Sequence, residues 1–554
     1  MSTRSPISEL PTHRVENQPE ALGDYNAFTT DIALMEAVRR EGPDWVAGRC
    51  DTLGQQLGSR EYQDMGFQAN EYPPRLKTFD RYGRRIDEVD FHPAYHAFMR
   101  LAIENDWHSV AWKEEGRGGH VAHIAGMYLL TQPEQGYCCP ITMTHAVVPA
   151  LRHQPELAQE WEPRILASAY DGRCVPATEK PGVTFGMAMT EKQGGSDVRA
   201  NTTLAKPLGA GGPGGEYALT GHKWFCSAPM SDAFLTLAQA PGGLSCFLVP
   251  RWRPDGSRNP FFIQRLKDKL GNRSNASSEI EYNDTWAQMV GDEGRGVRTI
   301  IEMVQQTRLD AATAPPGMMR QALVQVLHHV RQRKAFGKEL IDQPLMRNVL
   351  ADMTVETEAA VAMVLRVARA MDEGFADPQA RAFARLATAV TKYWTNKRTP
   401  QFIYEAMECL GGIGYVEENI LPRLFRESPL NSIWEGSGNV ICLDVLRAMQ
   451  KEPESAQVFI AELETARGGD ARLDAALDQL KQELSDTGDI ELRARMITER
   501  MATCLQGSLL VRHAPPAVAD AYCATRLAGD WGMNYGTLPR GADLDAILTR
   551  AWPV

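Results

Sequence analysis

The sequence lacks the long apolar segments that mark membrane-spanning and secreted proteins. No run of about 18 apolar residues occurs along the chain. Residues 1–6 continue into a polar stretch without the short apolar core of a secretory signal peptide. We therefore expect a cytoplasmic protein that has no membrane partner.

Cysteine is also sparse. The ten cysteines are scattered, and only Cys138 and Cys139 are adjacent. This density is too low for a disulfide scaffold, and no Cys-x-x-Cys pair is present to bind zinc. We predict reduced thiols and no metal site.

Positive charge is in deficit. The net charge is -11, which argues against a whole-surface affinity for nucleic acid. Residues 451–554 contain 11 Lys and Arg against 16 Asp and Glu, so this segment is acidic as well. Double-stranded DNA would need a local basic face, for which the candidates are Arg493, Arg495, Arg500 and Arg512. Such arginines more often form a solvated helix face.

The chain is long enough for two to four domains. Apolar periodicity predicts a helical domain over 1–185, a β domain over 186–290, a helical domain over 291–450 and a further helical domain over 451–554. The clearest helix is predicted from Pro344 to Glu373. The glycine-rich residues 209–215 indicate a hairpin connection, because no helix or ribose-binding acid follows them as a dinucleotide motif requires. These patterns alone support an α+β fold.

A carboxylate beside an aromatic side chain and a flexible turn is the most informative local feature. Residues 431–439 read NSIWEGSGN and place Glu435 between Trp434 and a Gly-Ser-Gly turn. The glycines allow close backbone approach to a ligand, and an apolar neighbour raises a carboxyl pKa toward neutrality. This pattern favours a general base, although a helix-capping loop explains it as well.

Several further motifs occur in a fixed order. They are MTEKQGGSD at 189–197, GHKWFCS at 221–227, KDKLGNRSNAS at 267–277, RKAFG at 333–337 and LGGIGY at 410–415. Together with the Glu435 turn they resemble the acyl-CoA dehydrogenase flavoprotein family, and within it the AidB-like branch of bacterial alkylation-response proteins. The resemblance covers nearly the whole chain.

The resemblance implies a small β-barrel between two helical domains, an FAD cofactor and a homotetramer. Glu435 would remove the α-proton of an acyl-CoA while the β-hydride passes to the flavin. The implied cofactor-binding residues are Met187, Met189, Thr190, Gly195, Ser196, Phe225, Cys226, Ser227, Arg333, Phe336, Gly411, Gly412, Trp434, Gly436, Ser437 and Asn439. Arg333 and Phe336 would contact the adenosine half of FAD from a neighbouring subunit.

Departures from the family pattern leave the function open. Trp434 stands where a Tyr is usual, Phe225 where a Trp is usual, and Glu408 where a Gln is usual. Three readings remain: an AidB-like flavoprotein of the adaptive response to DNA alkylation that retains the dehydrogenase site, an acyl-CoA dehydrogenase that reduces an electron-transfer flavoprotein, or a DNA-associated protective protein with a structural flavin.

Overall fold

The computed structural model describes residues 6–552, so the polar start at 1–5 lies outside the described residues. The helices are α1 Ile32–Glu41, α2 Asp44–Leu57, α3 Arg60–Glu71, α4 Pro93–Glu104, α5 Val110–Lys113, α6 Gly119–Leu130, α7 Cys138–Leu151, α8 Pro155–Ile165, α9 Gly296–Val330, α10 Pro344–Glu373, α11 Pro378–Leu410, α12 Ile420–Glu427, α13 Gly438–Lys451, α14 Pro453–Glu464, α15 Ala471–Ser485, α16 Ile490–His513, α17 Pro516–Tyr522 and α18 Leu544–Ala551. The strands are β1 Arg75–Phe79, β2 Arg85–Asp90, β3 Phe185–Ala188, β4 Leu204–Pro207, β5 Glu216–Ser227, β6 Ala233–Ala240, β7 Gly243–Pro250, β8 Phe261–Leu266, β9 Ser277–Val290, β10 Lys334–Ala335 and β11 Lys338–Glu339.

The middle of the chain forms a small closed barrel. Hydrogen bonding runs in the order β3-β6-β4-β5-β9-β7, and an additional pairing of β7 with β6 closes the ring, while β8 extends it from β9. Residues 209–215 connect the antiparallel strands β4 and β5, which confirms the hairpin prediction. The barrel lies between helical regions, as expected for the α+β fold.

Both faces of β6 are buried, because the barrel packs against the N-terminal helices. Phe234 and Ala238 point into the barrel core, whereas Leu235 and Leu237 pack outward against helices α7 and α8. This alternation follows from the two-residue period of a strand. The GHKWFCS motif at 221–227 ends strand β5 of the same barrel.

The helical core is shared between distant parts of the sequence. One buried cluster contains Leu34 of α1, Leu309 of α9, Val390 of α11 and Leu505 of α16. Helix α10 runs from Pro344 to Glu373 as predicted, with Pro344 in its first turn. Within residues 6–552, none of the helices combines the length and apolar content needed to cross a bilayer.

The strands β1 and β2 add a hairpin, which was not predicted, to the mostly helical N-terminal region. They form an antiparallel hairpin whose Arg75 lies opposite Asp90. Arg85 donates to the carbonyl of Ile263, and the Ile263 N–H donates to Asp87, so the hairpin is attached to β8 of the barrel. Strand β1 alternates between exposed and half-buried residues, and β2 buries only Asp87 and Val89. The hairpin therefore contains little apolar periodicity, which is why the sequence pattern did not reveal it.

Candidate active site

Glu435 lies in the turn that precedes α13, in the left-handed region with φ of 57°. Its carboxylate Oε2 accepts a hydrogen bond of 2.7 Å from the hydroxyl of Thr307 on α9. Burial raises the pKa of Glu435 above its ordinary value, while the Thr307 hydrogen bond and the charges of Lys392 and Arg308 act in the opposite direction. The side chain is thus a held carboxylate whose proton affinity is raised, which suits a general base.

The two cations beside this turn were not identified from the sequence. Lys392 on α11 donates through Nζ to the carbonyls of Trp434 and Gly436, and Arg308 donates through Nε to the carbonyl of Glu435. Lys392 interrupts the largely apolar face of α11. A single cation on such a face was the sequence feature that could have identified it as a site residue. Thr307 carried no local signal, because its contact to Glu435 spans 128 residues.

The end of β5 forms part of the barrel wall. Phe225 and Ser227 point outward, and Phe225 is 50% exposed, whereas Cys226 between them is fully buried in the barrel core. The hydroxyls of Ser227 and Ser277 lie 3.3 Å apart. The Cys226 side chain is therefore turned away from a ligand on this wall, and only its backbone remains for contact.

The segment around Thr190 crosses the same wall. The Trp224 N–H donates to the carbonyl of Thr190 over 2.7 Å, which joins the segment to β5. Met187 and Met189 are half-buried against the core beneath α7 and α8. A Cβ atom built on Gly195 would lie 2.7 Å from Oγ1 of Thr190, so a side chain at this position would require the loop or Thr190 to shift.

The loop that follows Thr190 is anchored by a buried ion pair. Glu191 and Lys223 are fully buried, and their Oε1 and Nζ atoms lie 2.8 Å apart. Glu191 also accepts hydrogen bonds from the N–H groups of Thr202 and Thr203. This anchor leaves Gly195 and Ser196 exposed at the loop tip.

Cys139 on α7 connects the barrel wall with the base turn. Burial raises the pKa of the Cys139 thiol to about 11, and a hydrogen bond to Ser227 and the charges of Lys269 and Glu435 act on the same thiol. Lys269 donates to the carbonyl of Asn275 and to the hydroxyl of Ser277. The pKa of the Cys139 thiol therefore responds to groups of the barrel and to Glu435, and the sequence motifs did not single this residue out.

Helix α13, which follows Glu435, is contacted by α16 from the C-terminal part of the chain. Trp434 is half-buried and donates through Nε1 to Asn431. Gly436 has φ of 98°, and Ser437 precedes the first turn of α13. The Oδ1 atom of Asn439 accepts a hydrogen bond of 2.8 Å from Arg495 on α16.

The remaining predicted residues lie on surface loops. Arg333 donates to the carbonyl of Asn17, and Asn17 bonds in turn to the backbone of Lys334, so an N-terminal segment holds the β10–β11 hairpin. Phe336 at the hairpin tip is 98% exposed with φ of 53°. Gly411 and Gly412 are exposed in a 3₁₀ turn after α11. These four residues lie outside the cluster formed by Glu435 and the barrel wall.

One buried group among the described residues has the composition of a metal site. His123, His145 and Asp310 place their ligand atoms within 4.8 Å of one another. The His123 Nε2 atom already lies 2.9 Å from Asp310, and the two imidazole rings stack at 3.7 Å. Stacked rings cannot both aim an in-plane lone pair at one ion, so we interpret the group as a buried ion pair. The prediction of no metal site remains a prediction.

The exposed wall has the chemistry that a flavin requires. Phe225 offers an apolar ring face, the hydroxyls of Thr190 and Ser227 lie on the same wall, and Gly195 packs closely against the Thr190 side chain. Hydroxyl and backbone donors at a small-residue turn suit a pyrophosphate. The residues present therefore fit FAD.

Comparison with known proteins gives three matching family models. Residues 17–172 match the N-terminal domain of the adaptive response protein AidB. Residues 186–285 match the middle domain of acyl-CoA dehydrogenase, and residues 294–450 match its C-terminal domain.

Individual relatives agree with these matches. An Escherichia coli (strain K12) protein named as the acyl-CoA dehydrogenase AidB is 46% identical over 94% of this chain and 96% of its own length. Acyl-CoA dehydrogenase family member 11 of Caenorhabditis elegans is 29% identical over 88% of this chain and 84% of its own. The crystal structure of C. elegans ACDH-11 in complex with C11-CoA has a TM-score of 0.85 and 27% identity, covering 94% of this chain and 95% of that one.

Proposed function

Because the chain belongs to the acyl-CoA dehydrogenase family, in its AidB-like branch, we propose that it binds FAD and dehydrogenates an acyl-CoA thioester with Glu435 as the base. The observation that carries this proposal is the Glu435 carboxylate, which accepts a hydrogen bond from Thr307 and whose pKa is raised by burial. A base in this turn would act between the proposed flavin wall and the helices that would enclose an acyl chain.

The residues proposed to hold FAD fall into three groups. Phe225, Ser227, Thr190 and the backbone at Met187, Met189 and Cys226 would hold the ring system. Gly195, Ser196, Gly436, Ser437 and Asn439 would hold the pyrophosphate, with Trp434 beside the ring. The adenosine half of the FAD bound to a neighbouring subunit would be held by Arg333, Phe336, Gly411 and Gly412. Bound FAD would supply the hydride acceptor.

The chain's own contribution is the proton transfer. Glu435 would remove the α-proton of the thioester, because its carboxylate is fixed by Thr307 and its pKa is raised by burial. The half-buried Trp434 would help to keep water from that carboxylate. General-base catalysis of this kind contributes roughly 10²- to 10⁴-fold to a rate.

The proposed assembly is a homotetramer, and the proposed electron acceptor is an electron-transfer flavoprotein. Phe336 is almost fully exposed, and Leu345 and Tyr415 are also exposed apolar residues in neighbouring parts of the chain. We propose that the subunit contact covers these side chains, because protein interfaces bury aromatic residues at their centre. C11-CoA in the C. elegans structure supports a thioester as the substrate class for this chain.

A role in the adaptive response to DNA alkylation is a prediction that comes from the resemblance, and DNA contact is the weaker part of it. Arg493 and Arg500 pair with Glu483, and Arg512 pairs with Glu462. These three guanidinium groups are thus already engaged in ion pairs within the chain. We therefore do not place a DNA surface on these arginines.

An anaerobic absorbance titration tests the dehydrogenase proposal. The holo-protein would be mixed with butyryl-CoA, octanoyl-CoA, undecanoyl-CoA and isovaleryl-CoA, beside the Glu435→Gln variant. We expect bleaching of the flavin band in the wild type and a loss of about 10²-fold or more in the variant. If the flavin stays oxidised with every thioester, the proposal fails, and salt-dependent DNA binding becomes the next measurement.

A further inference from the structure

A single buried lysine lies beneath the turn that carries the base. Lys392 is 1% exposed in the interior of α11. Its Nζ atom donates hydrogen bonds of 2.7 Å to the carbonyl of Trp434 and 2.5 Å to the carbonyl of Gly436. These two carbonyls flank Glu435, so one amino group spans the base residue from both sides.

The backbone at this turn requires such support. Glu435 has φ of 57°, a left-handed conformation that is unfavourable for a residue with a side chain. A residue stays in this region only when its surroundings over-determine it. The Nε atom of Arg308 adds a 3.2 Å hydrogen bond to the carbonyl of Glu435, so the carbonyls at 434, 435 and 436 are each bonded to a cation.

The two cations differ in how they are held. Arg308 pairs with Asp444, which also pairs with Arg385, so its position is fixed independently of the turn. Across residues 6–552, the Nζ hydrogen bonds of Lys392 go to the two turn carbonyls and none goes to a carboxylate. Burying an amine without an acid is costly, and an apolar side chain of similar length would fill the same volume without that cost. Space-filling therefore does not account for Lys392.

We propose that Lys392 is a positioning residue, which holds the 434–436 turn so that the Glu435 carboxylate stays fixed beside Thr307 and aimed at the reacting thioester. This inference rests on the proposed base role of Glu435. The position of the Glu435 carboxylate matters for the reaction, because a displacement of about 1 Å at a reacting group lowers the rate roughly 10²-fold.

The test compares two neutral replacements in the holo-protein. Lys392→Met removes both the charge and the donor, whereas Lys392→Gln removes the charge but keeps an N–H donor. The charged or titratable groups acting near Glu435 are Lys392 on α11, Arg308 on α9 and Cys139 on α7. Lys180→Met serves as the matched control, because Lys180 is another buried lysine, paired with Asp232 at 2.7 Å outside the base turn.

We expect Lys392→Met to reduce its flavin about 10²-fold more slowly than wild type per bound flavin. The flavin-reduction rate of Lys392→Gln should lie between the rates of wild type and Lys392→Met. In both variants, the acidic limb of the rate profile should move to higher pH, because the positive charge that favours ionised Glu435 is gone. Lys180→Met should lower the melting temperature without moving either the rate or the pH profile.

The inference is overturned if Lys392→Met keeps the wild-type rate, or if the two variants lose rate equally with an unmoved pH profile. Crystal structures of the variants give the φ angle of Glu435, which tests the inference without an activity measurement. This angle also decides the two cases in which the rates cannot be compared. If wild type is not reduced by any thioester, the proposed function fails separately. If Lys392→Met does not fold, Lys392→Gln is compared alone. In either case, a Glu435 φ that leaves the left-handed region supports the positioning role, and an unchanged φ rejects it.

Discussion

Thr307 and Glu435 are separated by 128 residues in the sequence and joined by a 2.7 Å hydrogen bond from hydroxyl to carboxylate. This contact connects α9 to the turn before α13, and it places a polar donor against a carboxylate that burial makes harder to ionise. The proton affinity of Glu435, the proposed base, thus depends on two distant segments.

Thr307→Val should move the acidic limb of the flavin-reduction profile to higher pH. The lost hydrogen bond favours the ionised carboxylate, so its removal raises the pKa of Glu435 further. On the acidic side of the profile, we expect a loss of roughly 10-fold, since a hydrogen bond to a charged group contributes about 1.5–3 kcal/mol. Stopped-flow reduction across pH measures this, and Thr307→Ser, which keeps the hydroxyl, is the control. A limb that stays in place would contradict the assignment.

Gly195→Ala should weaken flavin binding. The added Cβ would lie 2.7 Å from Oγ1 of Thr190 and 2.9 Å from its Cγ2, so the loop or the threonine must shift. The matched control is Gly194→Ala, because a Cβ at Gly194 meets no atom within 4 Å. We expect the flavin-to-protein absorbance ratio to fall about 10-fold at limiting FAD for Gly195→Ala, a difference of about 1.4 kcal/mol. Equal flavin content in the two variants would show that the pyrophosphate is held elsewhere.

Asp310→Asn should destabilise the fold by about 3 kcal/mol, because it leaves buried His123 without its carboxylate. Burial opposes the charge on His123, but Asp310 holds its pKa above the ordinary value of about 6.5. The ion pair therefore contributes fully below that ordinary value, and its contribution is lost as pH rises through the folded value.

Denaturant unfolding of wild type and Asp310→Asn at several pH values checks this prediction. The difference in unfolding free energy should be largest on the acidic side and should narrow as pH rises. Asp292→Asn, at an exposed site, should change stability little at any pH. A difference that widens with pH would contradict the ion-pair interpretation.

Phe336→Gly should stabilise the protomer and weaken the assembly. Glycine adopts the φ of 53° without the penalty of about 1–2 kcal/mol that a side chain incurs there. The same change removes a 98% exposed aromatic ring from the proposed subunit contact. Sedimentation velocity should show an assembly smaller than that of wild type, and the flavin absorbance that sediments with the protein should be lower. Tyr82→Ala, at the exposed tip of the β1–β2 hairpin, is the control, and an intact oligomer in Phe336→Gly would reject the contact.

Short local motifs predicted the family, the barrel and the position of the base, because each depends on residues adjacent in sequence. Ser227 and Phe225 were predicted on the same grounds, and the strand period explains why Cys226 between them points inward. The family membership and the fold are confirmed by the comparisons, whereas the roles of the individual site residues remain predictions.

The contacts that tune the base were not predictable from one sequence. Thr307 and Lys392 reach the turn from α9 and α11, and their side chains carry no local pattern that identifies the partner. The β1–β2 hairpin was missed for a similar reason, since its attachment is to β8, far along the chain. Tertiary packing decides such contacts, and sequence periodicity does not record it.

The shared core of the first and last helices has a consequence for the order in which the chain folds. Leu34 of α1 packs in one cluster with Leu505 of α16, and Arg550 of α18 pairs with Glu36, 514 residues earlier. Helix α1 packs mainly on α2, α6 and α10, but the buried cluster that also contains Leu505 is complete only after nearly the whole polypeptide has emerged. Contacts between residues so far apart in sequence form slowly, and apolar surface stays exposed to solvent until they have formed. Nascent chains stalled before α16 should be the species that chaperones capture.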